Sequence, residues 1–416
     1  MATRRWSWTP ALAGLLLLAA CTLGSGQQAT SDGATPSSAS SGSPSTRSSP
    51  GASGAGGTGV TSTSAAPRST PSVPRTSSRL LQLTTTARIP LAGQTYGRGL
   101  VLFGRYAAWV GCAGCQRTFT EPTTLYVADL TTRRVRAVAT GPQSSFMAPI
   151  GGADTRLAYL VGLTGNRTLQ WTIEELDLVT GARSTLTKGT AVQRVGVVPP
   201  VATTGDGQVV WQTFAQGPQA ASHGPVTAVD LRTGARRTLS RDLPGVVGAI
   251  TAAGVVYRAP TEAGVALDQG PTDAFVLRPG RSRPLVLSDG HDVRDIVADD
   301  ATAAWQTNDG PDAATWATPM NGQGPAREYY HGGSGDRAVG TGFLALVTAG
   351  DEPVLLLYPL GGGPVVAVGD VPGEFDSIAA QGSRLAYLAL PPDRGVQPDA
   401  KHPLTLVVTT VGLPRS

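Results

Sequence analysis

The stretch DLRTGARRTLS, residues 230–240, decides the fold because it recurs. DLVTGARSTLT stands 53 residues earlier, at 177–187, and a looser copy, DLTTRRVRAVAT, begins at Asp129. Each copy places a tight turn between two runs that alternate or cluster β-formers, which is the signature of a hairpin. A hairpin returning at about fifty residues is the mark of a repeat architecture.

Working outward, each hairpin is preceded by a short apolar run that ends in an aromatic. In order these are YAAW (Trp109), RLAY (Tyr159), QVVW (Trp211), GVVY (Tyr257), TAAW (Trp305), FLAL (Leu346, the exception) and RLAY (Tyr387). Their spacings are 50, 52, 46, 48, 41 and 41 residues. A second run follows each, among them TLYVADL, TIEELDL, VTAVDL and VLLLYPL, and after most of these come a turn and a third run. No window of eleven or more residues holds a 3.6-residue period, so helices are not expected.

One repeat is therefore an inner strand, a turn, the aromatic-ended strand, a loop, the Asp-Leu strand, a turn and an outer strand. Such a four-stranded blade leaves both faces apolar, and blades stacked in a ring bury each other's faces. The expected fold is an all-β, seven-bladed β-propeller, with six blades as the alternative. The aromatics are expected to wedge between neighbouring blades. The seventh repeat lacks an outer strand, because only five residues follow TLVVTTV, whereas LLQLTTTARIPL (80–91) is a strand without a blade. Letting 80–91 close the last blade leaves no exposed edge. Its alternation then sets Leu81, Leu83, Thr85, Ala87 and Ile89 on one face, expected to pack against blade six or the core.

The R-[apolar]-A-[aromatic] run, the Asp-Leu strand and the Thr-Gly turn resemble the TolB-like β-propeller repeat family over roughly residues 90–411. The family's Ser-Pro-Asp-Gly turn is reduced here to fragments such as Gly205-Asp206-Gly207. The resemblance implies a scaffold, a periplasmic interaction protein or the propeller part of a hydrolase; it implies fold better than function.

The chain before the repeats is of another kind. MATRRWSWTP is a basic start and ALAGLLLLAA an apolar run too short to span a bilayer. Leu18-Ala19-Ala20-Cys21 resembles the bacterial lipobox, which implies a signal peptide over 1–20, lipidation of Cys21, and a place outside the cytoplasm on the cell membrane. Arg4-Arg5 is similar to the twin-Arg export signal, with Ser7 where that signal has an apolar residue. Residues 21–79 are nearly all Ser, Gly, Thr, Ala and Pro, a composition that cannot offset the entropy of ordering. They are expected to be a disordered tether with a mean reach of about 40–45 Å. The propeller body spans 80–416.

The formal charge of +4 belongs to the flanks, since residues 80–416 hold 27 basic and 28 acidic side chains. A neutral body without a basic stripe gives no expectation of nucleic acid as a partner.

Loops between the aromatic strand and the Asp-Leu strand are long, as in PTEAGVALDQGPTD (260–273), whereas the turns flanking those two strands are short. Alternating strands put all the long loops on one face, and binding sites favour loops on a rigid scaffold. On that face Glu262, Asp273, Asp292 and Glu374 are the carboxylates that a propeller enzyme, a hydrolase or lyase on glycans or lactones, would use. Cys112 and Cys115 lie in the first long loop between strands. Neither a helix N-terminus nor a second Cys or His pair accompanies them, so a local disulfide is expected ahead of redox chemistry or zinc.

His223, His291, His331 and His402 are 40 or more residues apart and form no ligand pair. Ser334 lies in GGSGD, which lacks the last Gly of a nucleophile elbow, and Asn308–Asp312 suits a surface turn better than a cation loop. Asp177 and Asp230 are placed to cap their turns through backbone amides. No metal or cofactor is expected. The favoured function is a non-enzymatic binding or interaction module, monomeric and lipid-anchored, meeting an envelope protein or extracellular ligand on the long-loop face. The propeller enzyme is the alternative.

Changing Cys21→Ala tests the anchor: fractionation should find the variant released from membranes or left with its signal uncleaved. Normal processing with full membrane retention would remove lipidation from the account.

Overall fold

A computed structural model of the chain describes residues 81–113, 124–141, 145–164, 168–192, 201–205, 207–213, 223–262, 265, 270–288, 290, 292–307, 313–349, 353–370, 378–390 and 402–413. The signal peptide, Cys21 and the Ser-rich segment lie outside the described residues, as do Cys115, His291, Asn308–Asp312 and Glu374.

The described residues form strands and turns, with no helix among them. A first strand, β1 (Gln82–Pro90), precedes the blades. Blade one is β2 (Gln94–Phe103), β3 (Tyr106–Ala113), β4 (Thr124–Asp129) and β5 (Arg134–Thr140); blade two is β6 (Ser145–Ala153), β7 (Arg156–Thr164), β8 (Thr168–Asp177) and β9 (Arg183–Val192). Blade three is β10 (Val201–Gly205), β11 (Gln208–Gln212), β12 (His223–Asp230) and β13 (Arg236–Pro244); blade four is β14 (Val246–Thr251), β15 (Gly254–Pro260), β16 (Thr272–Leu277) and β17 (Leu285–Val286). Blade five is β18 (Val293–Ala298), β19 (Thr302–Thr307), β20 (Ala314–Pro319) and β21 (Arg327–His331); blade six is β22 (Ser334–Gly340), β23 (Phe343–Thr348), β24 (Val354–Pro359) and β25 (Val366–Asp370). Blade seven holds β26 (Ile378–Gln381), β27 (Arg384–Ala389) and β28 (Thr405–Gly412), and its fourth strand is β1.

These are seven four-stranded sheets. The first strands of successive blades touch in turn, and that of blade seven returns to that of blade one. The body is a closed seven-bladed β-propeller. Strands within a blade are antiparallel, so the short turns gather at one end and the long loops at the other.

The core lies between blades. The buried apolar side chains fall into seven clusters, each joining one blade to the next. The aromatic at the end of each second strand packs on the preceding blade: Trp109 on blade seven, Tyr159 on blade one, Trp211 on blade two and Trp305 on blade four. Trp109 and Trp305 are fully buried. Burial of such a side chain stabilises by about 2–3 kcal/mol, a large share of the interfaces that have one.

The turns follow the sequence closely. Asp177 Oδ1 accepts from the amides of Val179 and Thr180 at 2.8 and 3.0 Å, and Asp230 Oδ1 from those of Arg232 and Thr233 at 2.8 and 2.9 Å. These amides hold both carboxyls below the usual carboxylate range. Gly181 and Gly234 take φ of +75° and +74°. In the looser copy Arg133 stands at the same place and takes φ of +57°. The hairpin geometry there is imposed on a residue that disfavours it.

The closing strand is where expectation and structure part. β1 pairs with β28 along its whole length, from Gln82 opposite Gly412 to Pro90 opposite Thr405, as the closed ring requires. Its alternation breaks midway. Thr86 is an extra residue between Thr85 opposite Thr409 and Ala87 opposite Val408, and its hydroxyl donates to the Val408 carbonyl at 3.1 Å. The bulge exchanges the faces of the strand. Leu81 and Leu83 pack on the blade six–seven cluster, whereas Ala87 and Ile89 pack on the seven–one cluster. The single apolar face expected over 81–89 is therefore two half-faces, and one strand joins two interfaces.

Ile89→Asp should destabilise the body by about 3 kcal/mol or more in urea titration, since the side chain is 4% exposed. Thr84→Asp, on the exposed side, should change it by no more than about 0.5 kcal/mol. Equal losses would place the strand elsewhere.

Candidate functional site

The second strand of every blade ends at the loop end. Where it carries an aromatic, that side chain packs backward, and the next residue, in the blades where its contacts are seen, packs on the following blade. That next residue is Val110, Leu160, Gln212, Arg258, Gln306, Val347 and Leu388 around the ring. It is apolar in blades six, seven, one and two and polar in blades three, four and five. The polar ones begin an arc of buried hydrogen-bonding groups.

Gln212 is fully buried. Its amide donates to the Gly245 carbonyl at 2.7 Å, and its carbonyl accepts from the Val247 amide at 3.0 Å, tying blade three to the first strand of blade four. Arg258 is buried at the equivalent place in blade four. In blade five Gln306 Oε1 accepts from Arg337 of blade six and from the Ser334 hydroxyl at 3.3 Å. The Arg337 guanidinium also donates to Ser334 Oγ at 2.6 Å and forms an ion pair with Asp295. That pair joins the innermost strands of blades five and six, and the arginine side chain is only 3% exposed. Thr315 completes the group with a 3.2 Å contact to Ser334.

On the other side of blade five, Asp273 is buried and accepts from the Ser288 hydroxyl at 2.8 Å and the Gly290 amide at 3.0 Å. Ser288 Oγ in turn accepts from the Ala274 amide. Asp292 is paired with Arg294 at 2.8 Å and accepts weakly from Thr272 at 3.4 Å. Twelve of the fifteen buried polar side chains among the described residues lie in blades three to six, so the polarity is a property of one sector rather than of the ring. The buried side-chain atoms without a hydrogen-bond partner, among the described residues, are Arg294 Nε, Trp305 Nε1 and Arg337 Nε, all in blades five and six. Trp109, the counterpart of Trp305 in blade one, has its N–H satisfied by Gln94 at 2.8 Å.

Of the four carboxylates expected on the loop face, the structure brings Asp273 and Asp292 to either side of Thr272 and leaves Glu262 exposed. Ser334 is a member of the arginine network, and no histidine reaches it among the described residues. His223 and His331 lie at the loop end against Asp242 and Glu328. Cys112 is buried at the end of β3. Among the described residues no three of His, Cys, Asp and Glu are placed to hold a metal ion. The network of Gln212, Asp295, Gln306 and Arg337 was not anticipated. Its signal was the residue after each aromatic, whose polarity in three consecutive repeats contrasts with the apolar residue in the other four.

Removing one member of the buried ion pair should be costly. Arg337→Met leaves the Asp295 carboxylate without its partner and should destabilise by about 3 kcal/mol, read by denaturant titration. Adding Asp295→Leu should recover part of that loss, as coupled neighbours are not additive. A double variant as unstable as the sum of the single changes would mean that the pair does not act as a unit.

No family model matches the chain, and no curated protein matches it. Among solved structures it is similar to an oligogalacturonate lyase in complex with manganese, at 12% identity and a TM-score of 0.49, over 81% of this chain and 94% of that one. It is similar to TolB from Acinetobacter baumannii at 12% identity and a TM-score of 0.41, over 71% and 78%. It is also similar to the β-propeller domain of the Trilobed protease from Pyrococcus furiosus at 10% identity and a TM-score of 0.47, over 72% and 90%. These likenesses concern the fold, which the seven sheets and their closed order establish on their own.

Proposed function

We propose that the protein is a binding module held outside the cell membrane by a lipid on Cys21, with its site at the loop end of blades four to six. The observation that carries this reading is the sector of buried polar side chains beneath the long loops, centred on the Arg337–Asp295 pair. A rigid, hydrogen-bonded floor under loops on one sector suits a ligand that carries carboxylate or hydroxyl oxygens, on an envelope protein or polymer. The surrounding network is fully engaged, with Asp295 on Arg337 and Asp292 on Arg294, so these side chains hold a shape.

The enzymatic alternative finds less support. Asp273 spends its oxygen on Ser288 and Gly290, and Asp292 faces an arginine. Both have structural work that a general acid or base would have to leave. A Cys112–Cys115 bridge belongs to the same proposal. It would close a loop of four residues, worth at most about 2 kcal/mol of global stability, and restrain the loop beside blade one.

A photo-crosslinking residue placed at Glu262 or His331, at the loop end, should give discrete adducts in intact cells, whereas one at Gly234 or Gln323, at the turn end, should give none with protein. Absence of adducts at the loop end, or the same adducts from both ends, would overturn the reading.

A further inference from the structure

The two ends of the propeller differ in charge. Counted from the last residue of one strand to the first of the next, the short turns carry twelve arginines and seven aspartates. The remainder of residues 80–416 carries fifteen basic and twenty-one acidic side chains. A body that is neutral as a whole is thus basic at its turn end and acidic elsewhere.

The described aspartates at that end are engaged within it. Asp129, Asp177, Asp230 and Asp299 each accept backbone amides of their own turns, and Asp300 accepts the Ala252 amide at 2.7 Å. Asp154 is paired with Arg232. The arginines are turned outward, nine of the twelve being exposed. Arg133 and Arg134 of blade one, Arg281 and Arg283 of blade four, and Arg327 of blade five form no ion pair among the described residues. The turns that carry them are four to seven residues long and lie at the same end of the ring. Such a surface attracts anions over about a Debye length, roughly 8–10 Å at ordinary salt.

The closing strand enters at the same end. Gln82 pairs with Gly412, the last residue of β28, and Pro90 with Thr405 beside the long loops. The chain that leads back to Cys21 therefore joins the body at the basic end. We propose that this end, with its arginine turns, docks on an anionic membrane surface and presents the long loops away from it. This rests on the anchoring of Cys21 for its orientation and on the arginines for its affinity. Lipid and basic surface together supply the two signals that stable attachment takes.

The test uses the whole mature chain with phosphatidylcholine vesicles and with phosphatidylglycerol-rich vesicles. Flotation with phosphatidylcholine reads the anchor alone. Amide exchange in the turns 131–134, 179–183, 232–236 and 278–283 reads the docking. Exchange there should slow on phosphatidylglycerol and not on phosphatidylcholine, and high salt should restore it. Each arginine changed to glutamate among Arg133, Arg134, Arg281 and Arg283 should weaken the salt-sensitive part about fivefold or more, whereas Arg241→Glu, toward the loop end of β13, should leave it. Should the multiple variant not fold, the salt titration of the unchanged chain decides. Flotation with both vesicles and equal exchange in these turns would overturn the docking while leaving the anchor. Loss of flotation on phosphatidylcholine with slowed exchange on phosphatidylglycerol would overturn the anchor and leave the docking. Slowing by soluble polyphosphate alone would assign the face to a soluble polyanion and overturn the membrane.

Discussion

A blade with two apolar faces has no stable existence alone, and the whole structure depends on the ring that removes both faces from water. Every cluster of buried apolar side chains here is shared by two blades, so no blade has a private core. A ring built this way tolerates no missing interface. Where the two chain ends meet, a single strand packs on both neighbouring interfaces. The bulge at Thr86 lets one half of β1 seal blade seven against blade six and the other half seal it against blade one. Closure is therefore made by side-chain packing on both sides of the seam as well as by the ladder between β1 and β28.

The same constraint explains where polarity is allowed. Residues between blades face a neighbour's inner strand, and in most of the ring they are apolar. In blades three to five the ring admits Gln212, Arg258 and Gln306 at that position. Each buried polar group needs a partner in the adjacent blade, or the interface loses more than it gains. Gln212 finds backbone groups of blade four, and Gln306 finds Arg337 of blade six. A less forgiving interface is thereby also a more specific one, since these hydrogen bonds fix the angle between blades where apolar contact would leave it loose. Such rigidity at the loop end of one sector is what a site on loops requires.

Much of this was legible in the chain. The recurring apolar runs give the blade count because each is the second strand of a blade, six of the seven ending in an aromatic, and Asp-Leu with Thr-Gly gives the hairpin because both its carboxylate and its glycine have fixed jobs. The exchange of faces in β1 was not legible. LQLTTTARI alternates without a break, and a bulge among three threonines leaves no mark in apolar period. The polar arc lay in plain sight as the letter after each aromatic. Its meaning depends on knowing that this position faces forward, which periodicity within one strand does not tell. The carboxylates chosen by loop alone fared accordingly: Asp273 and Asp292 fell in the arc because strand ends converge there, and Glu262, farther along its loop, did not.

The division of charge between the two ends follows from the lengths of the connections. A short turn at the end of an antiparallel pair leaves backbone amides that its own side chains must satisfy, and aspartate does this best. Its charge is then spent inside the turn, as at Asp177 and Asp230, whose carboxyls the amides hold ionised. Arginine at the start of the next strand has the opposite geometry. Its long stem reaches across to a neighbouring blade, as Arg236 does to the Leu186 carbonyl and over the Trp211 ring at 5.0 Å, and the charge remains in water. The hairpins of blades one to three, which share this pair of residues, therefore gather exposed positive charge at one end, whatever the net charge of the chain. The basic face is a consequence of how the turns are built. The chain enters the ring at that same end, where Gln82 pairs with Gly412.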